Sequence, residues 1–136
     1  MTKQAQILLI ALLVYISILG LDQYIKLRTL LASGGVLNKG VVFGLINNNN
    51  LGIVLGIICL AIIIYILIVH RIALLPFSAI AAGLTSNLID RFLYKGVVDY
   101  WNFFNLFEFN LADLLIVTVI FLWLYVSMFG NKKTDV

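Results

Sequence analysis

At 136 residues, 63% hydrophobic and 11% charged, with a mean hydropathy of +1.13, the chain is excluded from the ordinary soluble domains and reads as an integral membrane protein. A net charge of +3 provides no basic stripe for nucleic acid; the basic residues flank apolar runs instead. One Cys and one His exclude an intramolecular disulfide and leave no metal site of the structural zinc type.

The first predicted span covers about residues 5–21, between Lys3 and Asp22, and approaches the ~20 residues that a bilayer crossing needs. A cleaved signal peptide is the competing reading, disfavoured because the apolar core is long and no small-residue cleavage site follows promptly. Residues 22–50 read as a structured connection with a Ser33-Gly34-Gly35 turn, strand-like Val41-Val42-Phe43 between Gly40 and Gly44, and a polar break at Asn47 to Asn50.

The second span, 51–69, carries Gly52 and Gly56 at a spacing that permits close helix approach. Cys59 within it reads as a small hydrophobe. His70-Arg71 is a short polar break, so the second and third spans form a tight hairpin, with His70 an interfacial loop residue.

The third span, 72–90, tolerates Pro76 near its start. Ser78, Ala82 and Ser86 fall four apart, as do Ala79 and Gly83, giving small faces for packing. Asn87, Asp90 and Arg91 then share one face of the final turn. Asp90 and Arg91 have two open readings, an ion pair closing the helix end and a part in a site.

The fourth span, 111–129, opens with Asn110 as N-cap and Asp113 in its first turn, where the helix dipole favours a carboxylate. Ahead of it, residues 96–113 (GVVDYWNFFNLFEFNLAD) set Asp99 and Asp113 on either side of an aromatic-rich run. Trp101, Phe103, Phe104, Phe107 and Phe109 read as an interfacial anchor or as a substrate lid, with the anchor preferred.

Four spans put both termini on one side of the membrane and residues 22–50 and 91–110 on the other. Basic residues divide almost evenly between the sides and do not decide orientation. The acids are asymmetric: Asp22, Asp90, Asp99, Glu108 and Asp113 fall opposite the termini, where the chemistry is expected.

Two acids beside membrane-length apolar segments are costly and therefore mark a functional site. If brought together, Asp99 and Asp113 repel, so one holds a proton while the other stays ionised, the arrangement by which aspartic proteases activate water. No serine is placed with a histidine base and an orienting group; a Ser-Lys dyad, with Lys26 or Lys95 as base, stays open. An ion-coupled transporter is disfavoured because no span carries an ionisable residue near its middle.

Five stretches in order resemble the motifs of the lipoprotein signal peptidase (signal peptidase II) family of bacterial membrane aspartyl proteases. They are Leu21-Asp22-Gln23 with Lys26; Asn38-Lys39-Gly40-Val41-Val42-Phe43-Gly44; Gly83 through Asn87-Leu88-Ile89-Asp90-Arg91; Gly96-Val97-Val98-Asp99-Tyr100; and Phe109-Asn110-Leu111-Ala112-Asp113. The resemblance implies that Asp99 and Asp113 are the catalytic dyad, that Asn87, Asp90, Arg91 and Asn110 support it or contact substrate and inhibitor, and that Asn38 and Gly40 line the outer cleft. Asp22 and Lys26 match a motif taken as structural.

The resemblance also implies an all-α membrane fold, a single unit over 1–136 with four transmembrane helices and a small extracytoplasmic β/loop element. It places both termini in the cytoplasm and the site at the outer face of the bacterial inner membrane. Neither cofactor nor metal is implied; the implied partners are diacylglyceryl-modified prolipoprotein signal peptides, the bilayer and the inhibitor globomycin, with the protein a monomer. The 22–38 connection is shorter than the family's, so the β element is expected to be reduced. A catalytically silent relative that binds lipidated peptides is the alternative.

Overall fold

The computed structural model describes residues 2–41, 46–69 and 74–130; His70, Arg71, Lys132 and Lys133 lie outside them, as do Val42, Phe43 and Gly44. Four long helices occur among the described residues: α1 (Lys3–Leu31), α2 (Asn49–Val69), α3 (Leu74–Tyr94) and α4 (Leu111–Phe129). Short strands join them: β1 (Val36–Asn38), β2 (Gly40–Val41), β3 (Ile46–Asn47), β4 (Val97–Asp99), β5 (Trp101–Phe103) and β6 (Phe107–Phe109). Three of the helices, α1, α2 and α4, are long and apolar enough to cross a membrane.

Helix α3 is the centre of the bundle and packs against each of the other three. Its small residues are the reason. Ala79, Ala81, Ala82, Gly83 and Ser86 are buried, so neighbouring backbones approach closely. A Cβ on Gly83 would stand 3.1 Å from Ala112 O of α4. On the opposite side, Cβ atoms on Gly52 and Gly56 of α2 would meet Arg91 and Leu88 of α3 at 2.5 and 2.7 Å. The outward faces of α1, α2 and α4 are instead exposed Leu, Ile, Val and Phe, the pattern of helices solvated by lipid.

The first connection is corrected by the fold. Residues 22–31, read as the start of a structured connection, belong to α1, which continues ten residues past the predicted end of the span and stops at Leu31, with Ser33 at φ 54° and Gly35 at φ 76° completing the turn. Charge misled the expectation, because Asp22 and Lys26 are turned inward as an i,i+4 pair and buried to 0% and 1% exposure. The β element is correspondingly small. Strands β1 and β4 pair antiparallel with Val36 opposite Asp99, β2 pairs with β3, and β5 pairs with β6. The aromatic-rich run from Tyr100 to Phe109 is largely this last hairpin.

Candidate active site

The site is built where β4 and the start of α4 meet the last turns of α3. Helix α4 leaves its first amides without intrahelical acceptors, and three different elements supply them. Leu111 N donates to the Tyr100 hydroxyl at 2.9 Å, Ala112 N to Asp22 Oδ1 at 3.2 Å, and Asp113 N to Asn110 Oδ1 at 3.0 Å. The Asp113 side chain accepts in return from Asn110 N, completing a capping box. Asp113 is thereby fixed in the first turn, where the sequence placed it.

Asp99 ends β4 and is 2% exposed. Asn110 donates its amide to Asp99 Oδ1 at 2.7 Å, and Asn38 of β1 donates to Oδ2 at 2.9 Å. Asn38 is itself oriented by Gly40 N, which donates to its Oδ1 at 2.9 Å. Burial pushes the Asp99 carboxyl up to about 6 against these hydrogen bonds, and the charge of nearby Asp113 adds to the rise. Asp113 is held by Asn87, whose Nδ2 donates to Oδ1 at 2.8 Å, while Asn87 Oδ1 accepts from Asn110 Nδ2 at 3.2 Å. The two asparagines therefore bridge the two acids. Both carboxyl groups line one cleft of about 220 Å³ with Asn38, Gly40, Asn87, Arg91 and Glu108.

Behind the cleft lies a second carboxylate pair. Lys26 Nζ stands 2.8 Å from both Asp22 Oδ2 and Asp90 Oδ2, with Lys26, Asp22 and Asp90 almost wholly buried. Each acid has a further task. Asp90 Oδ2 accepts from Val98 N at 3.1 Å, fixing the strand that carries Asp99. Asp22 Oδ1 accepts from the start of α4, which carries Asp113, and from the Tyr100 hydroxyl at 3.2 Å. Lys26 also donates to Asn87 Oδ1 at 2.8 Å, setting that amide so that its NH₂ faces Asp113. Gln23 and Ser86 complete the network, Gln23 Nε2 reaching Asp90 Oδ1 at 2.8 Å and Ser86 donating to Asp22. Among the described residues no buried side-chain N or O lacks a partner, as a polar cluster in an apolar bundle requires.

The Ser-Lys alternative is met by geometry. Lys26 Nζ is 3.3 Å from Ser86 Oγ, but it donates to that oxygen and is engaged by Asp22, Asp90 and Asn87, while the Ser86 hydroxyl gives its own proton to Asp22 and not to the amine. Asp90 does not close the helix by pairing with Arg91; its carboxylate is bonded to Lys26, Gln23 and the Val98 amide. Arg91 instead donates to Gly40 O at 2.8 Å and lies 3.4 Å from Asn49 Oδ1, tying α3 to β2 and to the start of α2.

All ten site residues read from the sequence fall in this one region. Tyr100, Ser86 and Gln23 were not among them. All three lie inside the quoted motifs, but a hydroxyl or amide carries no sequence signal comparable to a buried charge. Groups of three or more His, Cys, Asp or Glu able to hold a metal ion are absent among the described residues.

A family model described as Signal peptidase (SPase) II matches residues 10–129. Among curated relatives, a lipoprotein signal peptidase of Pelagibacter ubique is 36% identical over 109 residues, 72% of this chain and 66% of that protein. One from Campylobacter jejuni is 30% identical over 138 residues, covering 89% of this chain and 88% of that one. A solved bacterial membrane enzyme superposes with a TM-score of 0.73 at 23% identity, over 93% of both chains.

Proposed function

The chain belongs to the signal peptidase II family, whose members are lipoprotein signal peptidases, and on that premise we propose that it is an aspartyl endopeptidase working through Asp99 and Asp113. It is a protease of the bacterial inner membrane that cleaves signal peptides from prolipoproteins. The finer reading has a diacylglyceryl-modified substrate entering laterally from the lipid, a monomeric enzyme with four spans and cytoplasmic termini, and a cleft toward the outer face. Helix α3 would be the fourth span: its 21 residues reach about 31 Å, and its polar turns are shielded by the other helices.

The observation that carries the mechanism is the pairing of two carboxyl groups in one cleft, joined by Asn87 and Asn110. With one proton shared by the pair, the ionised carboxylate takes a proton from water as its oxygen attacks the scissile carbonyl carbon. The protonated partner donates to the carbonyl oxygen. Collapse breaks the C–N bond: the leaving amine takes the proton that the first carboxylate gained from water, and the diol returns a proton to the second as it becomes the product carboxyl group, which restores the singly protonated pair. Asn38, Asn110 and Asn87 hold the acids in register and spare the reaction the cost of ordering them. Arg91 and Gly40, tied together at the cleft wall, shape the substrate channel.

Cleavage of a diacylglyceryl-modified prolipoprotein by the purified protein, with and without globomycin, tests the reading. Globomycin-sensitive cleavage supports it; folded protein that binds such a substrate without cutting it would make the chain a silent relative.

A further inference from the structure

We propose that the β5–β6 hairpin is a two-faced wedge whose aromatic side lies in the headgroup–acyl boundary of the bilayer, on the side of the cleft, while its polar side walls the cleft. Strand alternation makes the division. Trp101 pairs with Phe109 and Phe103 with Phe107, while Asn102 pairs with Glu108, so four aromatic rings share one face and the polar pair occupies the other. The rings form a continuous sheet: Trp101 to Phe109 is 5.5 Å, Phe109 to Phe107 6.0 Å and Phe107 to Phe103 5.2 Å between centroids.

The polar face looks inward. Glu108 is the one described residue of the hairpin that lines the cleft of Asp99 and Asp113. A lid closing on an apolar signal helix would turn its rings toward the cleft, whereas none of Trp101, Phe103, Phe107 and Phe109 lines it.

The tip adds a second, independent observation. Phe104 and Asn105 have φ of 49° and 60°, and Leu106 N donates to Phe103 O at 2.8 Å across the turn. Asparagine tolerates this left-handed geometry; phenylalanine does so at a cost. The strained position thrusts the Phe104 ring outward to 83% exposure beside Leu106 at 75%, a placement water disfavours and lipid rewards.

Connectivity names the occupant. Strand β6 ends at Phe109 and α4, long and apolar enough to cross the membrane, starts at Leu111. Three-residue strands reach about 10 Å, comparable with the ~6 Å of headgroup region on each side of the hydrocarbon. The base of the hairpin is thus tethered within reach of the interface, where Trp and other amphipathic rings settle. This inference rests on α4 crossing the membrane and not on peptide-bond cleavage, so it stands or falls apart from the proposed activity.

The chain has two tryptophans, so Trp123→Phe leaves Trp101 as a single reporter. In phosphatidylcholine nanodiscs its fluorescence should fall about twofold or more when lipids brominated near the carbonyl end of the acyl chain are used, and acrylamide should quench it weakly. Strong acrylamide quenching with no bromine effect would overturn the proposal, as would shielding of Trp101 that arises only when globomycin or prolipoprotein is added. On the same background, Phe104→Asn suits the turn and should reduce bromine quenching with no loss of thermal stability in detergent. Unchanged bromine quenching in that variant would contradict the seating of the tip.

Discussion

Asn110 donates to Asp99 at 2.7 Å with the amide of the same side chain whose oxygen caps the helix carrying Asp113. One residue thus sets the relative position of the two acids. Asn110→Ser keeps a capping oxygen but removes the amide that reaches Asp99. The expected result is a loss of about 1–2 kcal/mol in stability with a fall in cleavage of about tenfold or more. Tm in detergent beside kcat/KM checks it; a normal rate would separate Asn110 from the dyad.

Lys26 is the only described cation bonded to Asp22 and Asp90. Lys26→Met leaves two buried carboxylates uncompensated, a cost of about 3–5 kcal/mol, and the Tm should drop accordingly. Adding Asp22→Asn and Asp90→Asn should recover part of that loss, although cleavage should stay low because Asn87 is no longer oriented. Full recovery of activity in the triple variant would show that the network is structural alone.

Stability should depend on pH through Asp99. The folded carboxyl keeps its proton up to about 6, against an ordinary value of 3.8, so between these values the folded state binds more protons than the unfolded chain. Stability therefore falls as pH rises through that window, by at most about 3 kcal/mol. Asp99→Asn removes the titration, so its Tm should lose this slope. An identical slope in both proteins would place the titration elsewhere.

Gly56 packs against Leu88, and a Cβ there would sit 2.7 Å from Leu88 Cδ2. Gly56→Leu should separate α2 from α3 at a cost of about 1–3 kcal/mol, read as a lower Tm. Gly52→Ala should instead push on the Arg91 guanidinium, 2.5 Å from the added carbon. It should reduce cleavage more than stability by disturbing the contact between Arg91 and Gly40.

Element by element, legibility followed the physics that each signal carries. Apolar length located α2 and α4 within two residues, because lipid-facing helices need little beyond hydropathy. The same signal ended α1 ten residues early: Asp22 and Lys26 look like a membrane boundary when counted as charges, and cancel as a buried pair only once Asp90 is opposite them. The five motifs gathered every proposed site residue into one region. Their partners could not be read, since Lys26 with Asp90 and Asn110 with Asp99 are tertiary contacts with no local spacing rule. Residues 101–109 showed their aromatic content plainly, yet the alternation that sorts rings from Asn102 and Glu108 acquired meaning only when the segment proved to be a hairpin.

The proposed dyad is tested most directly by turnover of a diacylglyceryl-modified prolipoprotein with the native chain, Asp99→Asn and Asp113→Asn side by side, each shown to be folded by its thermal transition. Cleavage by the native chain and loss of at least about 10³-fold in both variants is the predicted result. Near-normal turnover by either folded variant would contradict a water activated between Asp99 and Asp113.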